Sequence, residues 1–363
     1  MSDVSKKLEQ LNTLIELSSL INSTLDTHEI RKRTIEAAMK LLDAEAGSLM
    51  LVDKETGDLF FEVALGDKGD KIKKIRLKKG EGIAGWVVEK GEAIIVHDVQ
   101  SDERFFKGAD KQSSFITKSM VCVPVKSKDV ILGALQAINK KHGIFDEADK
   151  EALMTLANQV AIAIENANLY QELRDTFYGT AEALAETIEK RDPYTGGHTR
   201  RVMNYSYAIG EVIGLSRKEL DDLKLTAILH DVGKIGVRDS ILLKEGKLDP
   251  EEIEKMNMHS KYGSDILSHI KQLKDVTSGV RSHHERIDGK GYPDNLKGEE
   301  IPIIARIIAV ADTFDAMTSD RPYRKALSFE VAFEELRRHA GTQFDKNIVE
   351  AFISVFSEKE LVQ

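Results

Sequence analysis

Cysteine is nearly missing from this chain: Cys122 is the one thiol in 363 residues. No intramolecular disulfide can form, and the apolar run Met120 to Val125 around it reads as a strand. Cys122 is therefore expected to be a small buried hydrophobe rather than a reactive thiol or a cofactor attachment point. An apolar run of the ~18 residues that a membrane span needs is missing too. The opening MSDVSKKLEQLNTLIELSSLIN lacks the basic segment, continuous apolar stretch and small-residue cleavage site of a secretory leader. A soluble cytoplasmic protein is the expectation. Surplus positive charge is also lacking, since the formal net charge is -9. That balance argues against a general binder of DNA, RNA or membrane surfaces, and it leaves any phosphate affinity to a local site.

The length exceeds what a single core accommodates, so two domains are the default. Val4, Leu8, Leu11, Ile15 and Ile21 give residues 1–25 the spacing of an amphipathic helix. Beyond a helical stretch from Thr34 through Leu42 the texture changes to strands. Gly47 to Val52 and Leu59 to Ala64 flank a polar turn with Gly57 and read as a hairpin. Further strands are expected at Ala93 to Val96, Met120 to Val125 and Val130 to Ala137, with a short helix over Glu81 to Val88. This mixture predicts an α+β domain on a mainly antiparallel sheet.

Residues 26–165 resemble a GAF domain. The resemblance rests on AGSLMLVD, GEGIAGWVVEKGEAIIVHDVQSDERF, MVCVPVKSKDVILGALQAINK and FDEADKEALMTLANQVAIAIENA. GAF domains bind small molecules or simply dimerise, so an unidentified small ligand is implied without being named. Asn139-Lys140, Phe145 and Asp149 are similar to the NKFDE pattern of cyclic-nucleotide-binding members, with Lys150 in place of the final Glu. Turn and capping roles account for the same residues.

Leu153, Leu156, Val160, Ala163, Ala167, Tyr170, Phe177, Ala181, Leu184 and Ile188 then recur at spacings of three and four without proline, interrupted at Arg174. One long helix with a coiled-coil seam is expected, with 166–185 as connecting segment. A homodimer through the N-terminal and connecting helices follows; a helix packed on its own domains is the alternative. Past Arg191 strand alternation disappears. Helical patterns cover 199–213, 217–231, 250–258, 261–270, 302–317, 328–339 and 346–357. Ser216 and Asp249-Pro250 are placed as helix starts. Residues 186–363 should be all-helical.

Chemistry concentrates in that second half. His230-Asp231, at the end of an apolar helix, can turn an imidazole and a carboxylate toward one small volume. His198 precedes the pair, and His259, His283, His284 and Asp312 follow it. Divalent ions of the iron and manganese type take imidazole and carboxylate together, and a shared carboxylate commonly bridges two of them. Iron, manganese, nickel and zinc all suit such donors. His28, His97, His142, His269 and His339 are read as ordinary surface or core histidines.

The words around these residues are DPYTGGHTRRV at 192–202, HDVGKIG at 230–236 and HHERIDGKGYPDNLKGEEIPIIARIIAVADTFDAMTSDRPYR at 283–324. They closely resemble the HD-GYP family of metal-dependent phosphohydrolases, over roughly residues 186–360. The resemblance implies hydrolysis of cyclic di-GMP to linear pGpG, and further to GMP in some members. His198, His230, Asp231, His259, His283, His284 and Asp312 are the implied ligands of two metals, with Asp231 bridging. Lys234 would bind the scissile phosphate, and Arg321 and Arg324 the distal phosphate and guanine. Asp315 would orient a ligand. Asp288, Gly291, Tyr292 and Pro293 belong to a turn beneath or beside the substrate. Members with a third metal carry a glutamate four residues before the first histidine. Tyr194 stands there instead, so two metals are expected. Alternatives are a metal-loaded receptor with little turnover, or a phosphodiesterase for another cyclic dinucleotide or for pGpG.

Overall fold

Short apolar strands between helices make up the first half of the chain, and period-3.6 stripes govern the second. The computed structural model describes residues 13, 15–16, 19–21, 23–65, 75–113, 115–191, 197–244, 246–320 and 325–357. The expected N-terminal helix over 1–25 thus falls largely outside the described residues, although Ile21 is buried in the first core. The chain divides into two compact units, residues 1–174 and 175–363.

In the first unit, α1 (Thr27–Leu42) leads into β1 (Ala44–Val52), β2 (Leu59–Leu65) and β3 (Arg76–Leu77). Then come α2 (Gly82–Lys90), β4 (Ile94–Val96), α3 (Lys107–Ser113), β5 (Met120–Ser127) and β6 (Val130–Lys140). The strands form one antiparallel sheet in the order β3-β2-β1-β6-β5-β4. Both faces are covered, which is why its central strands are mostly apolar on both sides, with the buried Ser48 and Gln136 paired to each other. Leu49, Leu51, Val121, Val123, Leu135 and Ala137 face one core, shared with α1 and the start of the next helix. Met50, Met120, Cys122 and Ala134 face the other, shared with α2.

The helix α4 runs from Glu147 to Glu189, and its residues belong to both units. The second unit continues with α5 (His198–Val212), α6 (Arg217–Leu229), a 3₁₀ segment Val232–Gly236 and α7 (Asp239–Leu242). It ends with α8 (Pro250–Leu267), α9 (Lys274–Ser282), α10 (Ile303–Thr318), α11 (Phe329–Arg338) and α12 (Lys346–Ser357). Ser216 and Asp249 both close capping boxes, on Glu219 and Glu252. Three expectations shift. The patterns at 250–258 and 261–270 are one helix, because nothing at 259–261 breaks it. Helix α6 stops at Leu229, and the tighter 3₁₀ turn carries the chain onward. Helix α9 escaped notice because Val276 and Val280, both fully buried, are its whole apolar stripe in a polar, glycine-containing stretch.

Candidate metal centre

Six elements of the second unit bring the seven candidate ligands together. His198 opens α5, His230 caps α6 and Asp231 precedes the 3₁₀ segment. His259 lies within α8, His283 caps α9 with His284 next to it, and Asp312 lies on α10. Gly233 brings two of these elements into contact. A Cβ there would stand 1.8 Å from the His259 carbonyl oxygen, so only glycine lets the 3₁₀ segment rest on α8.

Four of the five imidazoles are aimed by their Nδ1. His230 donates from Nδ1 to the Ala227 carbonyl at 2.8 Å, His259 to Met256 at 2.8 Å and His283 to Val280 at 2.6 Å. A carbonyl has no proton to give, so the imidazole must be the donor. The Nδ1 of His198 meets the Asp315 carboxylate at 2.7 Å, and Arg201 grips that carboxylate with Nε at 2.5 Å and Nη2 at 3.0 Å. The Nε2 atoms of these four are consequently turned inward. Those of His198 and His230 are 3.3 Å apart, as are those of His259 and His283. Asp231 lies between the two pairs, Oδ2 at 3.6 Å from His230 and Oδ1 at 3.5 Å from His259. Asp312 Oδ1 is 3.4 Å from the Nε2 of His198. Two groups result, His198–His230–Asp231 and His259–His283–His284, each offering donor atoms within 4.8 Å of one another.

Electrostatics favour cation capture. Burial, with help from neighbouring histidines, holds His283 and His284 well below the usual imidazole range. Burial lowers His259 too, against the pull of Asp231. Neutral rings with Nδ1 protonated leave bare Nε2 lone pairs, and those of His259 and His283 face each other. Two lone pairs at 3.3 Å repel unless a cation sits near both, so this donor set fits divalent metal. Burial pushes the Asp231 carboxyl up, but Lys234, His230, His259 and His198 together outweigh it and keep it ionised. The Lys234 ammonium is 2.7 Å from Asp231 Oδ2. Burial also lowers His198, and the carboxylates of Asp315, Asp312 and Asp231 outweigh it to leave the ring above its ordinary value.

A loop closes one side of the site. The Tyr292 ring stacks on His284 at 4.9 Å, and the Tyr292–Pro293 peptide is cis. A Cβ on Gly291 would stand 2.4 Å from Glu285 Cα, which explains the glycine. Asp288 pairs with Arg286, and that hydrogen bond holds its carboxyl down to about 2. Tyr194, Arg321 and Arg324 lie outside the described residues. Sequence reasoning passed over Arg201 and Glu285. Glu285 is buried and accepts the backbone N–H groups of Asp294 and Leu296 at 2.7 and 3.1 Å, anchoring the loop. Arg201 could have been suspected from its place one helical turn after His198.

In the first unit the Asn-Lys-Phe-Asp pattern is accounted for without a ligand. Lys140 pairs with Asp149, and Asp146 and Asp149 accept from each other's backbone N–H. Asn139 accepts from the Lys118 N–H at 2.7 Å and donates to Ile116 and Glu45, both at 2.9 Å.

Comparison with known proteins agrees with both halves. Residues 24–165 match the GAF domain family, and residues 182–348 match the HD domain family. A 3'3'-cGAMP-specific phosphodiesterase 2 of Vibrio cholerae is 38% identical over 58% of this chain and 41% of its own length. A cyclic di-GMP phosphodiesterase of Thermotoga maritima is 43% identical over 53% of this chain and 52% of its own. A cyclic di-GMP phosphodiesterase response regulator of Xanthomonas campestris is 40% identical over 54% and 53%. The chain spans about half or less of the length of these relatives.

Proposed function

We propose, for a chain that carries a GAF domain followed by an HD domain, that it is a metal-dependent phosphodiesterase opening cyclic di-GMP to linear pGpG, with residues 186–363 as catalytic domain and 26–165 as sensor. One observation carries the reading. Nε2 lone pairs converge from buried imidazoles on either side of the Asp231 carboxylate, with the Lys234 ammonium beside it. His198, His230 and Asp231 would hold one ion, and His259, His283 and His284 the second. Asp231 would be shared and Asp312 would assist beside His198. Iron or manganese suits the mixed donors, and nickel or zinc is compatible. Such ions, when bound, supply Lewis acidity that lowers the pKa of water and offsets charge on a phosphoryl group.

The chain's own groups divide the remaining work. Water adds to phosphorus as the ribose 3'-oxygen leaves, so one P–O bond forms and one breaks, and the proton lost by the water is balanced by the one gained by the departing 3'-hydroxyl. Lys234 neutralises charge that grows on the phosphate oxygens. Asp315, fixed by Arg201, keeps the His198 ring oriented. Tyr292 covers one face of His284 and excludes water there. Arg321 and Arg324 take the distal phosphate and guanine.

The test is incubation of manganese- or iron-loaded protein with cyclic di-GMP, with products separated by chromatography. Linear dinucleotide is expected, and tight binding without it would leave a receptor instead. Lys234→Ala should keep its metal while turnover falls by about 10–10²-fold; full activity would remove the lysine from the mechanism. The Vibrio relative's name favours one second reading, 3'3'-cGAMP as substrate. Turnover of both cyclic dinucleotides and of pGpG under identical metal loading separates them. Of the seam expected on α4, Leu153, Leu156, Val160, Ala163 and Ala167 are buried in the core of the first unit and Ala181 and Ile188 in that of the second; a homodimer along the helix would rest instead on exposed Ile162, Leu169, Tyr170, Leu173, Phe177 and Leu184. A monomer by light scattering would reject it. No helix among the described residues is long and apolar enough to cross a membrane.

A further inference from the structure

The end of α4 is attached to the chain segments on both sides of the site. Tyr178, Ala181, Ala185 and Ile188 pack against Leu225, Ile228, Leu229 and Val232, all within the second unit. Two polar residues complete the attachment. Helix α5 starts from Gly197, which has no side chain to cap it. The Glu189 carboxylate takes that role, accepting the backbone N–H of Thr199, the residue after His198, at 2.6 Å. A negative charge there answers both the unpaired N–H groups and the helix dipole.

Arg191, whose own N–H continues the turn onto the Ile188 carbonyl at 3.0 Å, does the converse for the 3₁₀ segment. Its guanidinium donates to the carbonyls of Lys234, Ile235 and Val237 at 3.5, 3.3 and 3.3 Å, and to the Asp239 carboxylate at 2.6 Å. The Lys234 carbonyl also accepts the Val237 N–H at 3.0 Å, and the guanidinium adds donors at this C-terminal end of the segment, where helix carbonyls run short of intrahelical partners. The residue gripped by its backbone, Lys234, is the one whose ammonium lies against Asp231. A gap of about 10 Å³, room for one water at most, lies between Ile188, Glu189, Thr199, Asp231 and Lys234. Through the bonds of Glu189 and Arg191, the end of α4 is linked directly to Thr199, Lys234 and Val237.

We propose that Glu189 and Arg191 are positioning residues: they tie the start of α5 and the Lys234 backbone to the end of α4, so that a turn or slide of this helix resets the phosphate-binding geometry. The activity arm of the test rests on the phosphodiesterase reading; the other arms do not.

The full chain is compared with Arg191→Ala, Arg191→Lys and Glu189→Gln in three measurements. These are kcat and KM on cyclic di-GMP with Mn²⁺, Mn²⁺ affinity by calorimetry, and amide hydrogen exchange over 230–239. Arg191→Ala should lower kcat about tenfold or more with KM within about twofold, since small misplacement of a reacting group is costly. It should keep its Mn²⁺ affinity and exchange faster at 232–237. Arg191→Lys should recover part of the loss, because an ammonium still reaches one carbonyl. Glu189→Gln should weaken Mn²⁺ binding by about tenfold through His198. Unchanged exchange at 232–237 in Arg191→Ala overturns the proposal, as does faster exchange with wild-type kcat. Should Arg191→Ala fail to fold, Arg191→Lys decides: reduced kcat with normal Mn²⁺ affinity supports the proposal, and wild-type kcat defeats it. A wild-type chain that opens no cyclic dinucleotide defeats the phosphodiesterase reading, while the exchange arm still decides the positioning role.

Discussion

In the first unit Gln136 is buried at the centre of the sheet, where its Oε1 accepts from Ser48 Oγ at 2.8 Å and its Nε2 donates to Cys122 Sγ at 3.5 Å. Asn139 and Lys140 likewise end on protein partners. The buried histidines of the second unit begin in the same way, each Nδ1 donating to a carbonyl or a carboxylate. Their Nε2 atoms do not finish so: they meet one another at 3.3 Å. Buried polar groups ordinarily find a donor or acceptor partner within the fold. Polar residues that close on each other specify architecture, whereas lone pairs aimed at a common point specify something the chain must take up. The contrast separates a polar network that holds a sheet together from one that holds an ion.

The strongest way to break this comparison is Asp231→Ala. Removing the carboxylate that faces both histidine pairs should abolish metal retention and lower turnover by about 10²–10³-fold or more. Metal per chain by plasma mass spectrometry and linear product by chromatography measure both. Ser48→Ala, acting on the closed network of the first unit, should leave the metal content untouched. If Asp231→Ala keeps a full complement of metal, the lone-pair reading is wrong. Next in size is stability. Metal at 100 times its Kd adds about 2.7 kcal/mol to the unit that binds it. Two thermal transitions are expected, of which Mn²⁺ raises the one belonging to residues 175–363. A shift shared equally by both would erase the distinction between the units.

Much of this contrast was legible in the residues, for physical reasons that differ by place. The sheet was readable because Met120 to Val125 is apolar at every step and Val130 to Ala137 at every step but Gln136, as befits strands covered on both faces. His230 was readable because an imidazole beside a carboxylate at a helix end is rare without a task, and the other candidate histidines were readable from the words that surround them. What stayed hidden was whatever depends on distant chain segments meeting. Nothing near Glu189 announces that it caps α5 across ten residues. Nothing near Glu285 says that it anchors a loop through Asp294 and Leu296. Gly233 reads as a turn residue, yet its reason is the His259 carbonyl, 26 positions away. Helix α9 was missed because two valines make too faint a stripe for periodicity to find.

A smaller effect should follow at Asp315. This carboxylate touches no other candidate ligand, but it takes the Nδ1 proton of His198 and is itself fixed by Arg201. Asp315→Asn keeps the shape and removes the charge. Mn²⁺ affinity should fall by about 10–100-fold, as for other carboxylates that orient a metal-binding histidine. Arg201→Lys should cost less, since one donor remains. Wild-type affinity in Asp315→Asn would mean that helix α5 alone orients the ring.

The smallest expected effect lies in the closed network itself. Burial pushes the Cys122 thiol up to about 12 from an ordinary 9.0, with the Gln136 amide pulling weakly the other way. The folded protein therefore binds this proton more tightly than the unfolded chain does. Stability from the neutral thiol is complete below pH 9.0 and declines as pH rises toward about 12, because the unfolded chain ionises first. At neutral pH Cys122→Ala should show only the modest cost of a smaller side chain. Above pH 9.0 the gap between variant and wild type should narrow, measured by urea denaturation of the first unit. Thiol reagents should label Cys122 at the rate at which that unit opens, and Mn²⁺ should not alter that rate. Rapid labelling of the folded chain, or protection by Mn²⁺, would show that the two networks are not separate after all.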